Sequence, residues 1–244
     1  MEISALTRTV VTSTHALISG DGFVNSVVPG WTGCTVNVVI SREMGARFTQ
    51  TLVTLQQGGL LTGTTKGDQL FFYVVAGTCR ASVGDAARDL PAGHFLYVPP
   101  GKDYVLENRE EGTRLLTFRK TYERLEDQAL PPIIFGDAAT VKGAPFLGDE
   151  ALRLQVLLPD NLSFDMAVNI FTYDPGGHLP FVETHIMEHG LTYLQGQGVY
   201  MLDQQWYPVK KGDSIWMAPY CAQWFTAMGK EPAVYIYYKN VNRL

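Results

Sequence analysis

The feature that most constrains the fold is an internal repeat with an offset of 119 residues. Three pairs of glycines keep this offset: Gly58 and Gly177, Gly77 and Gly196, and Gly93 and Gly212. Apolar segments between these glycines stay in phase in the two halves of the chain. Self-similarity at one fixed offset indicates a repeated structural unit. The chain is therefore predicted to be a tandem duplication, two copies of one domain.

The segments between the glycines are short and rich in β-branched and aromatic residues, with Gly, Pro and Asp between them. Examples are residues 35–40, 50–55, 70–75 and 94–98 in the first half, and 152–158, 166–173 and 234–238 in the second. Such spacing is typical of an all-β sandwich or barrel. We predict an N-terminal domain over residues 1–120 that begins with an irregular arm, a connection over 121–149, and a C-terminal domain over 150–244.

Composition excludes several classes of partner. The 244 residues are 46% hydrophobic, enough for a sizeable core, and 19 basic against 24 acidic side chains give a net charge of -5. No basic stripe suits nucleic acid, so none is expected as a partner. The three cysteines are widely spaced, and no apolar run approaches the roughly 20 residues that cross a bilayer. No signal peptide is recognisable, and we expect a cytoplasmic protein without membrane contact.

The chemical centre of the sequence is the segment from Glu183 to His189. Glu183 and His185 are two residues apart, so on a β-strand both side chains would project from the same face. His189 would then join them from the start of the next strand, across a turn. Two imidazoles and a carboxylate that converge in this way predict a metal site in need of a fourth ligand.

A different interpretation of the same segment is the pattern H-x-x-E-H, formed by His185, Glu188 and His189. That pattern marks a class of zinc proteases, in which it requires a helix. The glycines before and after the segment, together with the β-forming residues 191–194, instead favour a turn followed by a strand. We therefore disfavour a protease, and interpret Glu188 as a residue that supports the site without binding a metal.

The repeat predicts that only one copy binds a metal. At the offset of 119, the positions of Glu183, His185, His189 and Gln223 hold Thr64, Lys66, Leu70 and Tyr104 in the first half. A leucine and a cationic lysine cannot form a cage for a divalent ion. About one ion per chain is expected, in the C-terminal copy.

These residues carry a resemblance to the cupin motifs. The spacing is Gly177-x5-Glu183-x-His185-x3-His189-x6-Gly196, followed by Gly212-Asp213 and by Gln223 eleven residues after Gly212. Three positions depart from the usual cupin pattern, with Glu183 in place of His, His189 in place of Glu, and Gln223 in place of the last His. The resemblance implies an all-β bicupin, two tandem double-stranded β-helix (jelly-roll) barrels.

The unusual Glu/His/His/Gln set resembles the (S)-ureidoglycine aminohydrolase family, most strongly from Glu183 to the C-terminus. This implies hydrolysis of (S)-ureidoglycine to (S)-ureidoglycolate and ammonia in purine (allantoin) breakdown. The implied metal is Mn²⁺, with Fe²⁺ or another divalent ion as an alternative, because two nitrogens and two oxygens form a harder set than three histidines. The implied ligands are Glu183, His185, His189 and Gln223.

A substrate of this class carries a carboxylate and therefore needs a cation in its site. Tyr235, Tyr237 and Lys239 alternate along the last predicted strand, so they share one face. The resemblance implies that Tyr200, Tyr235 and Lys239 bind the substrate together with Glu183 and Gln223. It also implies that Lys239 and Glu183 take part in catalysis.

Two alternatives stay open at this point. The first is another metal-dependent cupin enzyme, a dioxygenase or an isomerase acting on a different small acid, because the fold hosts many chemistries. The second is a bicupin that binds a small molecule without catalysis. In each case the expected partner is a small molecule, and exposed sheet faces on both copies predict a homo-oligomer.

Overall fold

The computed structural model describes residues 7–20 and 23–240. Regular structure in these residues is almost entirely β-strand, with two short 3-10 helices at Arg42–Met44 and Ala138–Thr140. The strands are β1 Val10–Val11, β2 His15–Ile18, β3 Trp31–Ile40, β4 Phe48–Thr64, β5 Asp68–Ala76, β6 Thr78–Val83, β7 Ala86–Pro91, β8 His94–Val98, β9 Asp103–Asn108 and β10 Thr113–Thr121. They continue with β11 Ile134–Asp137, β12 Ala144–Phe146, β13 Asp149–Val156, β14 Met166–Tyr173, β15 His189–Gln195, β16 Gln197–Leu202, β17 Gln205–Lys210, β18 Ser214–Met217, β19 Gln223–Met228 and β20 Ala233–Asn240. The all-β prediction is confirmed.

The strands form three sheets that follow the repeat. Strands β3 to β11 make a nine-stranded sheet in the order β11-β8-β5-β10-β4-β9-β6-β7, with β3 paired to β4. The second half contributes a sheet in the order β1-β2-β18-β15-β20-β14-β13-β12 and a smaller one in the order β17-β16-β19. All named strand pairs are antiparallel, which permits short turns between consecutive strands.

Hydrogen bonds outside the strands repeat at the offset found in the sequence. The amide of Gly93 donates to the carbonyl of Val74, and the amide of Gly212 donates to that of Tyr193, at 2.9 Å in both cases. Gly77 and Gly196 have nearly the same backbone angle, φ of 78° and 74°. A Cβ at either would lie within 2.5 Å of another residue, so both positions require glycine.

The two halves differ where the metal segment begins. In the first half β4 runs unbroken through Gly58, whereas in the second half β14 ends at Tyr173 and is followed by Asp174, Pro175 and two glycines. Proline lacks the amide that would continue a sheet ladder, so the chain leaves the sheet here. Residues 174–188 become a long connection, and this connection carries two of the four predicted metal ligands, Glu183 and His185.

The register corrects one position of the repeat. Tyr104, the counterpart of Gln223, pairs with Gly63, whereas Gln223 pairs with Glu183. The counterpart of Glu183 is therefore Gly63 and not Thr64. The lack of a carboxylate ligand in the first half is unchanged by this correction.

Both edge strands of the repeat are covered by segments from outside it. Strand β11, from the predicted connection, pairs with β8 of the first half. Strand β2, from the N-terminal arm, pairs with β18 of the second half and places Leu17 opposite Ile215. The domain boundaries at residues 120 and 149 stay a prediction, and the sheets reach across them in both directions.

Apolar side chains form three cores. One lies inside each half, and the third lies between the halves, where the ring of Phe48 stacks on that of Tyr238 at 4.0 Å. This third core buries outer sheet faces of both halves against each other within one chain. The homo-oligomer that was expected from exposed sheet faces stays a prediction.

A buried ion pair joins the halves beside the third core. Lys120 Nζ lies 2.7 Å from Asp165 Oδ2, and the two side chains are 4% and 3% exposed. Asp165 also accepts from the amide of Glu123 at 2.7 Å and from the side chain of Gln69. The carboxylate is therefore satisfied only while all three partners remain in position.

We expect the substitution Lys120→Met to lower the free energy of unfolding by about 3 to 5 kcal/mol, because it leaves a carboxylate buried without its cation. Urea unfolding followed by circular dichroism measures this loss. The control is Arg80→Met, at the exposed Arg80–Asp89 pair with its 3.0 Å contact. That change should cost only about 0 to 1 kcal/mol, and equal losses in the two variants would contradict the prediction.

In the part of the chain that the structure describes, no helix has the length and apolar character needed to span a membrane.

Candidate active site

A cavity of about 530 Å³ opens in the second half. Its walls come from the inner faces of β14, β15 and β20, from the segment 183–187, and from the connection between β13 and β14. The structure brings together in it all seven residues singled out from the sequence: Glu183, His185, His189, Tyr200, Gln223, Tyr235 and Lys239. Their individual roles stay predictions.

The connection 174–188 is fixed over the cavity by backbone contacts. Glu183 and Gln223 exchange two backbone hydrogen bonds of 2.9 Å, and the amide of Tyr220 donates to the carbonyl of His185 at 2.7 Å. Glu183 and His185 lie outside any named strand, and only Glu183 forms an isolated bridge. The expectation that both lie on one strand was wrong, although both side chains still line the cavity.

The two histidines face each other across the cavity wall. His185 Nε2 lies 3.1 Å from His189 Nε2, and His185 Nδ1 lies 3.0 Å from the carbonyl oxygen of Met187. A carbonyl only accepts, so Nδ1 carries the hydrogen and Nε2 of the neutral ring keeps its lone pair. Burial lowers the pKa of His185 and holds the pKa of His189 well below its ordinary value, so both rings stay neutral.

These nitrogens provide a test of whether a metal fits. His189 Nε2 faces His185 Nε2, and in the tautomer that carries its hydrogen on Nδ1 this nitrogen also offers a lone pair. With both rings in this tautomer, two imidazole nitrogens 3.1 Å apart offer their lone pairs to one point. The donor atoms of the two rings therefore fit a divalent metal ion.

The side-chain amide of Gln223 lies next to the two histidines and forms hydrogen bonds there. Its Nε2 lies 3.3 Å from His185 Nε2, and its Oε1 accepts from the hydroxyl of Tyr200 at 3.1 Å. Rotation of the amide by half a turn presents the oxygen to the histidines, and the Tyr200 hydroxyl can then accept instead of donating. Among the described residues, no three His, Cys, Asp or Glu side chains lie together as a metal site, so the contacts join only His185, His189 and Gln223, and Glu183 as a ligand stays a prediction.

The charged residues that line the cavity are Glu183, Lys239 and, on the connection between β13 and β14, Asp160. Burial raises the pKa of the Glu183 carboxyl, and the positive charge of Lys239 opposes this shift. Lys239 lies directly opposite His189 in the β15–β20 register, and its charge also lowers the pKa of both histidines. The expectation that Tyr235, Tyr237 and Lys239 face the cavity together agrees with its lining.

The two predicted tyrosines make contacts that limit what they can do. The hydroxyl of Tyr235 lies 2.9 Å from that of Tyr173, in an aromatic wall with Tyr193 and Phe225. The hydroxyl of Tyr200 is engaged by Gln223. Tyr200 is therefore placed to orient the amide of Gln223, and the substrate-binding roles expected for Tyr200 and Tyr235 stay predictions.

Asn169 lies in the site but was not among the residues predicted from the sequence. This residue of β14 lines the cavity and is 5% exposed; its Nδ2 donates to the hydroxyl of Tyr237 at 3.1 Å. Its Oδ1 has no hydrogen-bond partner among the described residues. An asparagine within the apolar strand Met166–Tyr173 was the available signal, because a buried amide requires partners.

Glu188 turns away from the cavity. Its carboxylate accepts from the backbone amide of Arg47 in the first half and from Trp216 Nε1, and the residue is fully buried. The H-x-x-E-H segment forms a connection and the start of β15, with no helix there. A carboxylate held in this direction cannot act as a base beside the two histidines, which excludes the protease arrangement.

Comparisons with known proteins agree with this arrangement. The cupin domain family matches residues 169–238, the part that carries most of the cavity. A curated (S)-ureidoglycine aminohydrolase of Escherichia coli is 36% identical over 93% of this chain and 88% of its own length, and one of Arabidopsis thaliana is 32% identical over 99% and 80%. The chain belongs to the (S)-ureidoglycine aminohydrolase family. As a member of this family it is an enzyme of the aminohydrolase class.

Solved structures share the fold of this chain. The crystal structure of protein Ylba from E. coli is 33% identical and covers 98% of this chain and 96% of its own, with a TM-score of 0.88. Oxalate decarboxylase of Bacillus subtilis is only 13% identical, with a TM-score of 0.73 over 95% of this chain and 78% of its own, and shows likeness of fold alone.

Proposed function

We propose that this aminohydrolase converts (S)-ureidoglycine to (S)-ureidoglycolate and ammonia. In this reaction the bond between the central carbon and the amino nitrogen breaks, and the nitrogen leaves as ammonia. Water supplies the oxygen that takes its place on the carbon. The observation that carries the proposal is Lys239, a cation opposite His189 inside the cavity, where it can receive the substrate carboxylate.

We propose a divalent ion as the cofactor, Mn²⁺ with Fe²⁺ as the alternative, held by Glu183, His185, His189 and Gln223. Two ring nitrogens and two oxygens form the harder donor set that these ions prefer over zinc. A bound ion would act as a Lewis acid toward the substrate or water. The first half offers Gly63, Lys66, Leu70 and Tyr104 at the equivalent positions, which supports about one ion per chain.

The side chains of the cavity would bind the substrate, transfer protons and exclude water. Lys239 binds the substrate carboxylate as a point charge and can give a proton to the departing nitrogen. Glu183 has a pKa raised by burial and can carry the proton that the attacking water releases. The aromatic wall around Tyr235 keeps bulk water away, which strengthens both interactions.

The test is ammonia release from freshly prepared (S)-ureidoglycine by protein loaded separately with Mn²⁺, Fe²⁺ and Zn²⁺. We expect the highest rate with Mn²⁺ or Fe²⁺, and the same rate with and without oxygen. Circular dichroism of the product reports whether (S)-ureidoglycolate forms. Activity that requires oxygen would support a dioxygenase instead, and no ammonia with any of the three metals would reject the proposal.

Asn169 gives a second test of the substrate site. We expect Asn169→Ala to lower kcat/KM about tenfold while the metal content is unchanged. The substrate ureido group would lose the hydrogen bond that the free Oδ1 of Asn169 can accept. Steady-state kinetics and metal analysis measure the two quantities. Thr172→Ala, on the same strand but outside the cavity lining, is the control. Equal kinetics in both variants would remove Asn169 from the substrate site.

We also propose that the protein is a cytoplasmic homo-oligomer whose partner is the small-molecule substrate, with neither nucleic acid nor membrane as a partner. The net charge of -5 supports the absence of a nucleic-acid partner. Light scattering after size-exclusion chromatography measures the number of subunits, and a monomer would reject the oligomer.

A further inference from the structure

A second cavity, of about 300 Å³, opens in the first half. Its polar lining includes Thr49 and Thr51 of β4, Thr117 and Arg119 of β10, and Asp68. Trp31, Val38 and Leu70 form apolar parts of its wall. The function proposed above uses none of these residues.

Strand register identifies this cavity as the counterpart of the substrate cavity. Leu70 pairs with Arg119 as His189 pairs with Lys239. Thr51 pairs with Thr117 in the same way as Asn169 pairs with Tyr237. The first half has therefore kept an open pocket at the same place in the fold. There a leucine replaces a metal ligand and an arginine replaces the lysine.

Arg119 is held in place and still has free donors. Its Nε donates to Asp68 Oδ2 at 2.7 Å, and Asp68 Oδ1 accepts from the hydroxyl of Thr121 at 2.9 Å. Both terminal nitrogens of the guanidinium lack a hydrogen-bond partner in residues 7–20 and 23–240. A guanidinium fixed through Nε presents its other nitrogens as a planar pair of donors, which suits a carboxylate.

The threonines provide a further donor. The hydroxyls of Thr51 and Thr117 lie 2.6 Å apart, and both residues are buried. One hydroxyl donates to the other, so one hydroxyl hydrogen is left without an acceptor among the described residues. A buried donor in this state requires a partner, and the cavity is the open space beside it.

The charge of the pocket selects the class of ligand. Arg42 and Arg119 outweigh Asp68 by one positive charge, so an anion complements the lining. The apolar side of the pocket, at Trp31 and Leu70, suits a short carbon chain. We propose that the first half binds a small organic monocarboxylate, with its carboxylate on Arg119 and its apolar end against Trp31. This binding requires no metal and does not depend on the activity proposed for the second half.

Propionate is a suitable probe, since it carries one carboxylate and a short apolar end. In the full-length, metal-loaded protein we expect a saturable change in tryptophan fluorescence at physiological chloride, because Trp31 lines the pocket. Ligand-observed NMR measures the same binding independently of Trp31. Neutral propionamide, which has the same shape, should produce no saturable response.

Substitutions in the lining of the first-half cavity test whether propionate binds there. Arg119→Met should weaken binding about tenfold or more, through loss of a charge-assisted hydrogen bond. Thr49→Phe should abolish binding by filling the cavity while the ion pair with Asp68 is kept. Arg80→Met is the matched control, since its side chain is 39% exposed, like that of Arg119, and is also paired with an aspartate.

Lys239→Met tests whether propionate binds in the substrate cavity instead. This variant should bind propionate with the affinity of the unchanged protein. The two test variants act by different means, so each remains informative if the other does not fold. Unchanged affinity in a folded Arg119→Met or Thr49→Phe protein would overturn the proposal. Loss of binding in Lys239→Met would also overturn it, because propionate would then occupy the substrate cavity.

Discussion

Replacement of Lys239 by methionine is expected to lower kcat/KM for (S)-ureidoglycine by about 100-fold or more while the metal stays bound. Methionine keeps much of the length and apolar surface of the lysine stem but cannot bind a carboxylate or transfer a proton. Lys239 lines the substrate cavity opposite His189, with its charge close enough to affect the pKa of Glu183. Steady-state kinetics, with metal content measured on the same preparation, test both parts of this prediction.

Lys239→Arg separates the two roles proposed for the lysine. Arginine keeps the positive charge but does not release a proton near neutral pH. Substantial activity in this variant would leave only the binding role, whereas a loss equal to that of methionine would favour proton transfer. Lys210→Met, at an exposed position of β17, is the control for loss of a positive charge elsewhere. Full activity in Lys239→Met would remove this residue from the site.

The second large effect is expected from His185→Ala, which should reduce the metal content from about one ion per chain to almost none and abolish ammonia release. His185 faces His189 at 3.1 Å and lies 3.3 Å from Gln223, so it is central to the proposed donor set. Alanine has no donor atom and removes one of the two imidazole nitrogens from this set. Elemental analysis of the purified protein measures the number of ions.

Lys66→Ala is the matched control for His185→Ala. The carbonyl of Lys66 accepts from the amide of Gly101, as that of His185 accepts from Tyr220, so the two residues occupy equivalent turns of the repeat. We expect the alanine at position 66 to leave metal and activity unchanged. Two ions per chain in the unaltered protein would contradict the assignment of metal binding to the second half alone.

Much of the fold was predictable because its signals are local. Glycines at positions such as 77 and 196 mark left-handed turns that few other residues adopt, and they repeat with the fold. Alternation along a strand has a period of two, so the sequence alone predicted that Tyr235, Tyr237 and Lys239 share one face. The spacing of Glu183, His185 and His189 pointed to one site, and the resemblance to the cupin motifs added Gln223; all four line the substrate cavity.

Other features depended on contacts between residues far apart in the chain. The direction of Glu188 is determined by the amide of Arg47, which lies in the other half. Tyr104 pairs with Gly63, so the residue equivalent to Glu183 is Gly63 and not Thr64, which the sequence offset had indicated. Only the strand register shows this difference of one residue. The role of Asn169 depends on which of its atoms finds a partner after folding.

Glycine spacing and strand-forming segments indicated the repeat and the all-β class, because backbone preference and side-chain alternation act over a few residues. The resemblance to the cupin motifs and to the aminohydrolase family added Gln223 and Tyr200 to the residues expected at the site. Folding of the chain was needed to show which outer sheet faces bury each other, that the N-terminal arm covers β18, and that the first half keeps a cavity with a fixed arginine. These outcomes depend on packing and register between distant segments, which no local pattern specifies.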